Sequence, residues 1–338
     1  MTAYAPLLRR LIGGEHLTSD EAADFIGDVM DGAYTPVQAA GLLVALAAKG
    51  ERIDEIAGAA RAMRERSLRV EHDLPMVVDV VGTGGDGANT FNISTMAALV
   101  VAAAGIPVAK HGNRAASSAC GSADVLEAAG LPLEIAPQTA AAMLQETNFT
   151  FMFAPRYHPA MRNVGPVRRE LGVRTIFNVL GPLTNPARAT HQVVGVAREP
   201  LVETVGKVLT ALGTRSGAVV HGSNGLDEVA GDVPSLVYSF DEHGGRAWTL
   251  DPARYGVTTP LSELVGSSVE ACLEAFLSIL GGERALAAKV VALNAAVVLH
   301  AVGARESLED ALDQSWSILR SGAALRTFER AKELAIRG

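Results

Sequence analysis

The chain has 338 residues, a length that suggests about two domains; 49% are apolar, enough for a large core, and 20% are charged, which excludes a disordered chain. A net charge of −8 argues against a general nucleic-acid binder. It leaves a small polyanion open, because backbone N–H groups and a few local cations can hold one inside an acidic protein. Two cysteines, Cys120 and Cys272, are too few for a disulfide framework or a zinc site and fit a reducing, cytoplasmic setting. Residues 1–14 show no signal-peptide pattern. The longest apolar run, 96–109, is broken by Gly105-Ile106-Pro107 and falls short of the roughly 20 residues of a membrane span, so a soluble chain is expected.

The first elements read as helices. Thr18-Ser19-Asp20-Glu21 is a capping box, followed by Ala22, Phe25, Ile26, Val29 and Met30 at helical spacing. Thr35-Pro36-Val37-Gln38 repeats the signal and predicts a helix running to Lys49 and stopping at Gly50. A third helix fits 53–66. Leftover apolar faces on such helices point to packing or oligomerisation. At Leu74-Pro75 the character changes. Residues 76–81 form a valine-rich buried strand, followed by a glycine loop, a helix over 95–104, a strand from Val108, a helix over 124–129 and a strand over 149–153. Strands over 192–196 and 218–221 flank a helix over 201–212, and 236–240 with 247–250 make a hairpin; 269–336 is mostly helical. Alternating strands and helices predict an α/β fold with a mostly parallel sheet.

Five segments carry chemistry. Gly82-Thr83-Gly84-Gly85-Asp86-Gly87 follows a strand and lets several N–H groups face one ligand. It satisfies G-x-G-x-x-G, but the helix does not open inside the motif and Lys110, not an acid, follows the next strand, so a dinucleotide site is disfavoured. Asn92-Ile93-Ser94-Thr95 at a helix mouth reads equally as a cap or as a phosphate site. Lys110-His111-Gly112-Asn113-Arg114, with Ser117, Ser118, Gly121 and Ser122, has the density of cations, hydroxyls and glycines that suits a polyphosphate. Asp227-Glu228 reads either as solvated surface charge or as an Mg²⁺ site at a strand end. Residues 162–186 bring Arg168, Arg169, Arg174 and Gly181-Pro182-Leu183-Thr184-Asn185-Pro186, and an aromatic acid would need one such arginine for its carboxylate.

In their order and spacing, 82–95, 110–124, 158–186 and 227–228 closely resemble the anthranilate phosphoribosyltransferases, enzymes of tryptophan biosynthesis, and the resemblance spans essentially the whole chain. It implies a small N-terminal helical domain (1–73, with 162–187 crossing back to it) and a larger α/β domain (74–161 and 188–338). It implies a cleft between them and a homodimer through the helical domain. Carried onto this sequence, it assigns phosphoribosyl pyrophosphate to Gly82, Gly85, Asp86, Thr90, Asn92, Ile93, Ser94, Thr95, Lys110, His111, Gly112, Asn113, Arg114, Ala115, Ala116, Ser117, Ser118 and Ser122. Anthranilate falls to Gly82, Asn113 and Arg168, and Mg²⁺, two ions per site, to Ser94, Asp227 and Glu228. Cys120 stands where many members have serine and is a poorer donor, so it is left out of the ligand set.

The resemblance implies transfer of the phosphoribosyl group to the anthranilate amine, with no acid or base assigned and no nucleic-acid or membrane partner. A pyrimidine nucleoside phosphorylase on the same fold would need neither Asp227-Glu228 nor Arg168. The unrelated phosphoribosyltransferase fold would need paired acids at a strand end, whereas Asp79 is followed by Val80. A nucleic-acid-binding relative would need a basic groove. A glutamine amidotransferase partner stays open.

Overall fold

The N-terminal helices start where their caps dictate. α1 (Tyr4–Ile12), α2 (Ser19–Met30), α3 (Pro36–Lys49) and α4 (Ile53–Glu65) form a bundle in a computed structural model that describes residues 3–115, 118–283 and 285–338. The Thr18 hydroxyl accepts from Glu21 N at 3.2 Å while the Glu21 carboxylate accepts from Thr18 N at 2.9 Å. Thr35 and Gln38 repeat the exchange at 3.3 and 3.0 Å, with Pro36 opening α3. Phe25, Ile26, Leu42 and Leu43 are fully buried between these helices.

Five parallel strands follow: β1 (Val78–Gly82), β2 (Val108–Gly112), β3 (Phe149–Phe153), β4 (His191–Gly195) and β5 (Ser216–Gly222). Antiparallel β6 (Ser235–Asp241) and β7 (Gly244–Leu250) extend them, in the order β3-β2-β1-β4-β5-β6-β7. The chain steps outward from β1 to β3 and then returns to the other side of β1 with β4. The sheet therefore reverses direction between β1 and β4, where open α/β sheets bind ligands beyond the carboxyl ends of their strands. Val78 lies opposite His191 and Gly82 opposite Gly195, so these two strands end level with each other.

The connections and cover are α5 (Ile93–Ala103), α6 (Ser122–Ala128), α7 (Pro137–Thr147), α8 (Ala154–Tyr157), α9 (Met161–Leu171), α10 (Phe177–Leu180), α11 (Leu201–Ala211), α12 (Val269–Leu280), α13 (Ala285–Ala301), α14 (Leu308–Arg320) and α15 (Ala323–Arg337). Side chains alternate between the two faces of the strands. Val78, Val80, Val193, Ala218 and Val220 enter a core with α5, α13 and α15. Val194, Val196, Val219 and Phe240 enter a second core with α11 and the helical bundle.

Residues 164–183 contribute to that second core, whereas Ala187 lies in the first. Val164 and Val167 on α9, and Ile176, Phe177, Leu180 and Leu183 beyond it, bury among the bundle side chains. Asn163 Nδ2 donates to Met30 O at 2.7 Å and Arg64 Nε to Leu183 O at 2.7 Å. No helix among the described residues is long and apolar enough to cross a membrane.

The expected strands and helices appear with ends shifted by a few residues. The strand expected over 76–81 begins at Val78, and the helix expected over 95–104 begins at Ile93. Among the longer helices, α1, α7 and α9 had no expected range. α7 opens on Pro137, a start signal with only a thin apolar stripe of Ala140, Met143 and Leu144 behind it. α9 carries Pro166, which reads as a breaker in sequence, yet burial of Val164 and Val167 holds the helix through it.

Candidate active site

At the carboxyl ends of β1, β2, β4 and β5, four loops enclose a cleft of about 550 Å³ whose far wall comes from residues 168–182. The loop after β1 turns through left-handed conformations at Gly84, Gly85 and Gly87, with φ of 66°, 79° and 72°, where a side chain would be strained. Its far end is tied down by a strap absent from the sequence expectations. Phe91 N donates to Leu264 O at 2.7 Å, and Gly266 N to Asn89 O at 2.8 Å.

The glycine loop folds around an acid. Gly84 N donates to Asp227 Oδ2 at 2.6 Å, and Ser94 N donates to Glu228 Oε1 at 3.1 Å. Asp227 and Glu228 therefore face inward, which removes the solvated-surface alternative. Burial, with the Asp86 charge next, holds the Asp227 carboxyl above its ordinary range. Burial, with the Asp227 charge next, does the same for Glu228. The open phosphate-site alternative at the α5 mouth meets a specific geometry. Ile93 N is spent on Phe91 O at 2.7 Å, and the first anion at Ser94 N is the Glu228 carboxylate itself. Thr95 is buried with its hydroxyl unpartnered among the described residues, and Thr90 forms an isolated bridge with Val265.

Lys110 lies inside this acidic ring. Its side chain is 2% exposed, and Nζ donates to Val80 O and to Ser94 Oγ, the latter at 3.3 Å. Burial pushes its pKa down, while Asp79, Glu228 and Asp227 pull it back up. Asp79, a buried acid in a valine strand, went unassigned in the sequence. It accepts from His111 N at 3.2 Å, and burial raises its pKa to about 6.

The β2 loop is internally braced. Asp124 Oδ2 accepts from Ala115 N and Gly121 N, both at 2.9 Å, and Ser122 Oγ donates to Asn113 O at 3.2 Å. Arg114 is committed to Asp124 at 3.0 Å and Glu127 at 2.7 Å, so in this state its charge serves the loop. Asn113 Oδ1 accepts from Arg114 N at 2.8 Å, which directs the amide N–H₂ outward. Asn92 Nδ2 donates to Cys120 O at 3.1 Å, so Cys120 contributes its backbone here. Ser118 lines the cleft and Gly112 floors it; Ala116 and Ser117 lie outside the described residues.

The opposite wall is mostly apolar, with two arginines, and Arg198 stands in the loop after β4. Arg168 sits with its guanidinium carbon 5.8 Å from the centre of the Phe177 ring, half-buried, and burial lowers its pKa. Arg174 and Arg198 are exposed at the cleft edge. His111 Nδ1 lies 3.2 Å from Gly181 O, a geometry that puts the proton on Nδ1 and leaves Nε2 a bare lone pair. Its ring centre is 4.9 Å from that of His158. Burial drives both below the ordinary histidine value, to about 3 and about 4, so both are neutral at pH 7.

Among the described residues no group of three or more His, Cys, Asp or Glu side chains forms a ready metal cage. Two inward-facing carboxylates and a serine hydroxyl fit an ion that takes its remaining oxygens from water and a phosphorylated substrate.

Models of the glycosyl transferase family match the chain in two parts, the helical bundle domain over residues 5–67 and the a/b domain over 74–325. An anthranilate phosphoribosyltransferase of Thermomicrobium roseum is 47% identical over 334 residues, covering 97% of this chain and 96% of that protein. The Thermus thermophilus enzyme of that name superposes with a TM-score of 0.92 at 43% identity, over 98% of this chain and 99% of the other. The Saccharomyces cerevisiae enzyme, in complex with PRPP and Mg, superposes with a TM-score of 0.91 at 26% identity over 99% of both chains. The chain belongs to the anthranilate phosphoribosyltransferase family.

Proposed function

We propose that the cleft transfers the 5-phosphoribosyl group of phosphoribosyl pyrophosphate to the amine of anthranilate, releasing pyrophosphate and N-(5-phosphoribosyl)anthranilate for tryptophan biosynthesis. The observation that carries this is the meeting of a glycine loop, Lys110 and Asp227-Glu228 at the sheet's reversal point, across from Arg168.

The phosphorylated donor lies on Gly82, Gly85, Asp86, Thr90, Asn92 to Thr95, the loop 110–118 and Ser122. Lys110 is held in place by Val80 O and Ser94 Oγ, so its charge needs no reorganisation when negative charge builds on the departing pyrophosphate. Ser94, Asp227 and Glu228 hold magnesium, which supplies further neutralisation of that charge when bound. Two ions per site suit the joint charge of two carboxylates and a diphosphate. Arg168 pairs with the anthranilate carboxylate, while Gly82 and the outward amide of Asn113 fix the ring. That arrangement sets the amine opposite the leaving group, and orientation supplies much of the rate. The amine attacks C1 through its own lone pair as the C1–O bond to pyrophosphate breaks, and the proton shed by the nitrogen goes to pyrophosphate or solvent.

The test follows anthranilate fluorescence in purified protein. Signal loss is expected only with phosphoribosyl pyrophosphate and Mg²⁺ together. Arg168→Ala is expected to raise the anthranilate KM roughly tenfold to a hundredfold, the about 1.5–3 kcal/mol of a charge-assisted hydrogen bond, with the donor KM unchanged. No turnover by folded wild-type protein would sink the proposal.

The proposal includes two domains with the boundaries given above, a cytoplasmic protein with reduced Cys120 and Cys272, and a homodimer through the helical bundle. Ile12, Val37 and Val44 support the dimer. They are 71%, 80% and 40% exposed, and Val37 and Val44 lie two turns apart on one face of α3. Light scattering should give twice the chain mass for wild type and a monomer for the Val37→Glu, Val44→Glu double variant. A monomeric wild type at micromolar concentration would overturn it.

A further inference from the structure

Arg174 takes no part in the roles assigned so far. It is exposed at the cleft edge and makes no hydrogen bond or ion pair among the described residues. Its Nη2 would lie 3.1 Å from a Cβ placed on Gly85, so the guanidinium stands over the middle of the glycine loop. Its backbone is anchored on the other side of the cleft. Thr175 N donates to Asn178 Oδ1 at 3.0 Å, Asn178 N returns a bond to Thr175 O at 2.9 Å, and Ile176 and Phe177 are buried in the bundle core. One residue thus spans from the bundle to the loop after β1.

The anion it serves follows from its neighbours. Gly85 adjoins Gly84, whose N–H meets Asp227, so the loop under Arg174 runs beside the carboxylate pair. Arg168, by contrast, stacks near Phe177 on the apolar wall. An arginine fork facing a glycine loop matches the spread oxygens of a diphosphate better than a single carboxylate.

We infer that Arg174 is a diphosphate-binding residue, the bundle-side partner of the glycine loop. This rests on the reading of phosphoribosyl pyrophosphate as the donor. The test therefore uses binding without anthranilate: calorimetry of full-length protein with Mg²⁺ and either phosphoribosyl pyrophosphate or inorganic pyrophosphate. Arg174→Ala is expected to weaken both at least tenfold, Arg174→Lys to recover part of the loss, and the anthranilate KM to stay within twofold, with thermal midpoints unchanged. Equal affinities in wild type and Arg174→Ala overturn the inference while leaving the donor assignment intact. Weakened phosphoribosyl pyrophosphate with unchanged pyrophosphate overturns it in favour of the 5-phosphate. A wild type that binds neither ligand removes the donor assignment, and this inference with it.

Discussion

Asp227→Asn and Glu228→Gln are each expected to lower kcat/KM for phosphoribosyl transfer by on the order of a hundredfold or more, about 3 kcal/mol of transition-state stabilisation. The physical reason is charge. Asp227 is buried beside the Asp86 charge, Glu228 is partly buried beside Asp227, and Lys110 favours the ionised form of Glu228. Either amide keeps the shape of the loop and removes one unit of the negative charge that would hold magnesium. Steady-state rates over a magnesium titration check this. Full activity in either variant at the wild-type magnesium requirement would remove the pair from the mechanism.

The same carboxylates predict a pH signature in metal-free protein. Their folded-state pKa values are raised, so between the ordinary carboxylate range and those raised values the folded protein binds more protons than the unfolded chain. Stability contributed by the pair is complete at low pH and is lost as pH rises through that window. His111 and His158, whose pKa values are depressed, act the other way below the ordinary histidine value. The difference in thermal midpoint between wild type and Glu228→Gln, measured in EDTA from pH 5 to 8, isolates the acids. It should change steadily with pH, to the growing relative advantage of the variant. Parallel curves would show that Glu228 ionises as an ordinary surface acid.

The parts of this site that were legible in sequence are those built from local chemistry. The glycine loop, the Lys110 segment and the caps of α2 and α3 are set by short-range steric and hydrogen-bond rules, and each stands where its residues put it. Asp227 and Glu228 were legible only as a pair. What turns them inward is the meeting of β5's loop with that of β1, 143 and 134 residues away along the chain for the Gly84 and Ser94 contacts. Asp79 was hidden by its surroundings, because an isolated acid in a valine run has no periodic partner. The strap at Leu264 to Gly266 binds through backbone groups, which carry no residue code. Pro166 sits inside α9, where burial of Val164 and Val167 overrides local propensity. Arg174 stood in a segment of several arginines, and only the fold tells the one over Gly85 from the one beside Phe177.

Gly195→Ala is expected to damage stability and catalysis together, and more severely than any glycine change within the loop itself. Gly195 ends β4 directly opposite Gly82. A Cβ there would lie 1.6 Å from Asp227 O and 2.5 Å from Asp227 C. Those are backbone atoms and cannot rotate aside, so either the β4 end or the loop bearing Asp227 and Glu228 must move. Overpacking of this kind costs about 3 kcal/mol. A shift near 1 Å in the acids is also large on the scale that catalytic positioning tolerates, which predicts a fall in kcat on the order of a hundredfold. Gly84→Ala is the comparison. Its φ of 66° makes alanine strained, but nothing among the described residues lies within 4 Å of the new methyl, so the cost is that of one left-handed residue, about 1–2 kcal/mol. Denaturant unfolding of both variants separates the two effects. If Gly195→Ala is no less stable than Gly84→Ala and retains wild-type kcat, then the β4 end does not set the position of Asp227, and the carboxylate pair must be placed by the β5 loop alone.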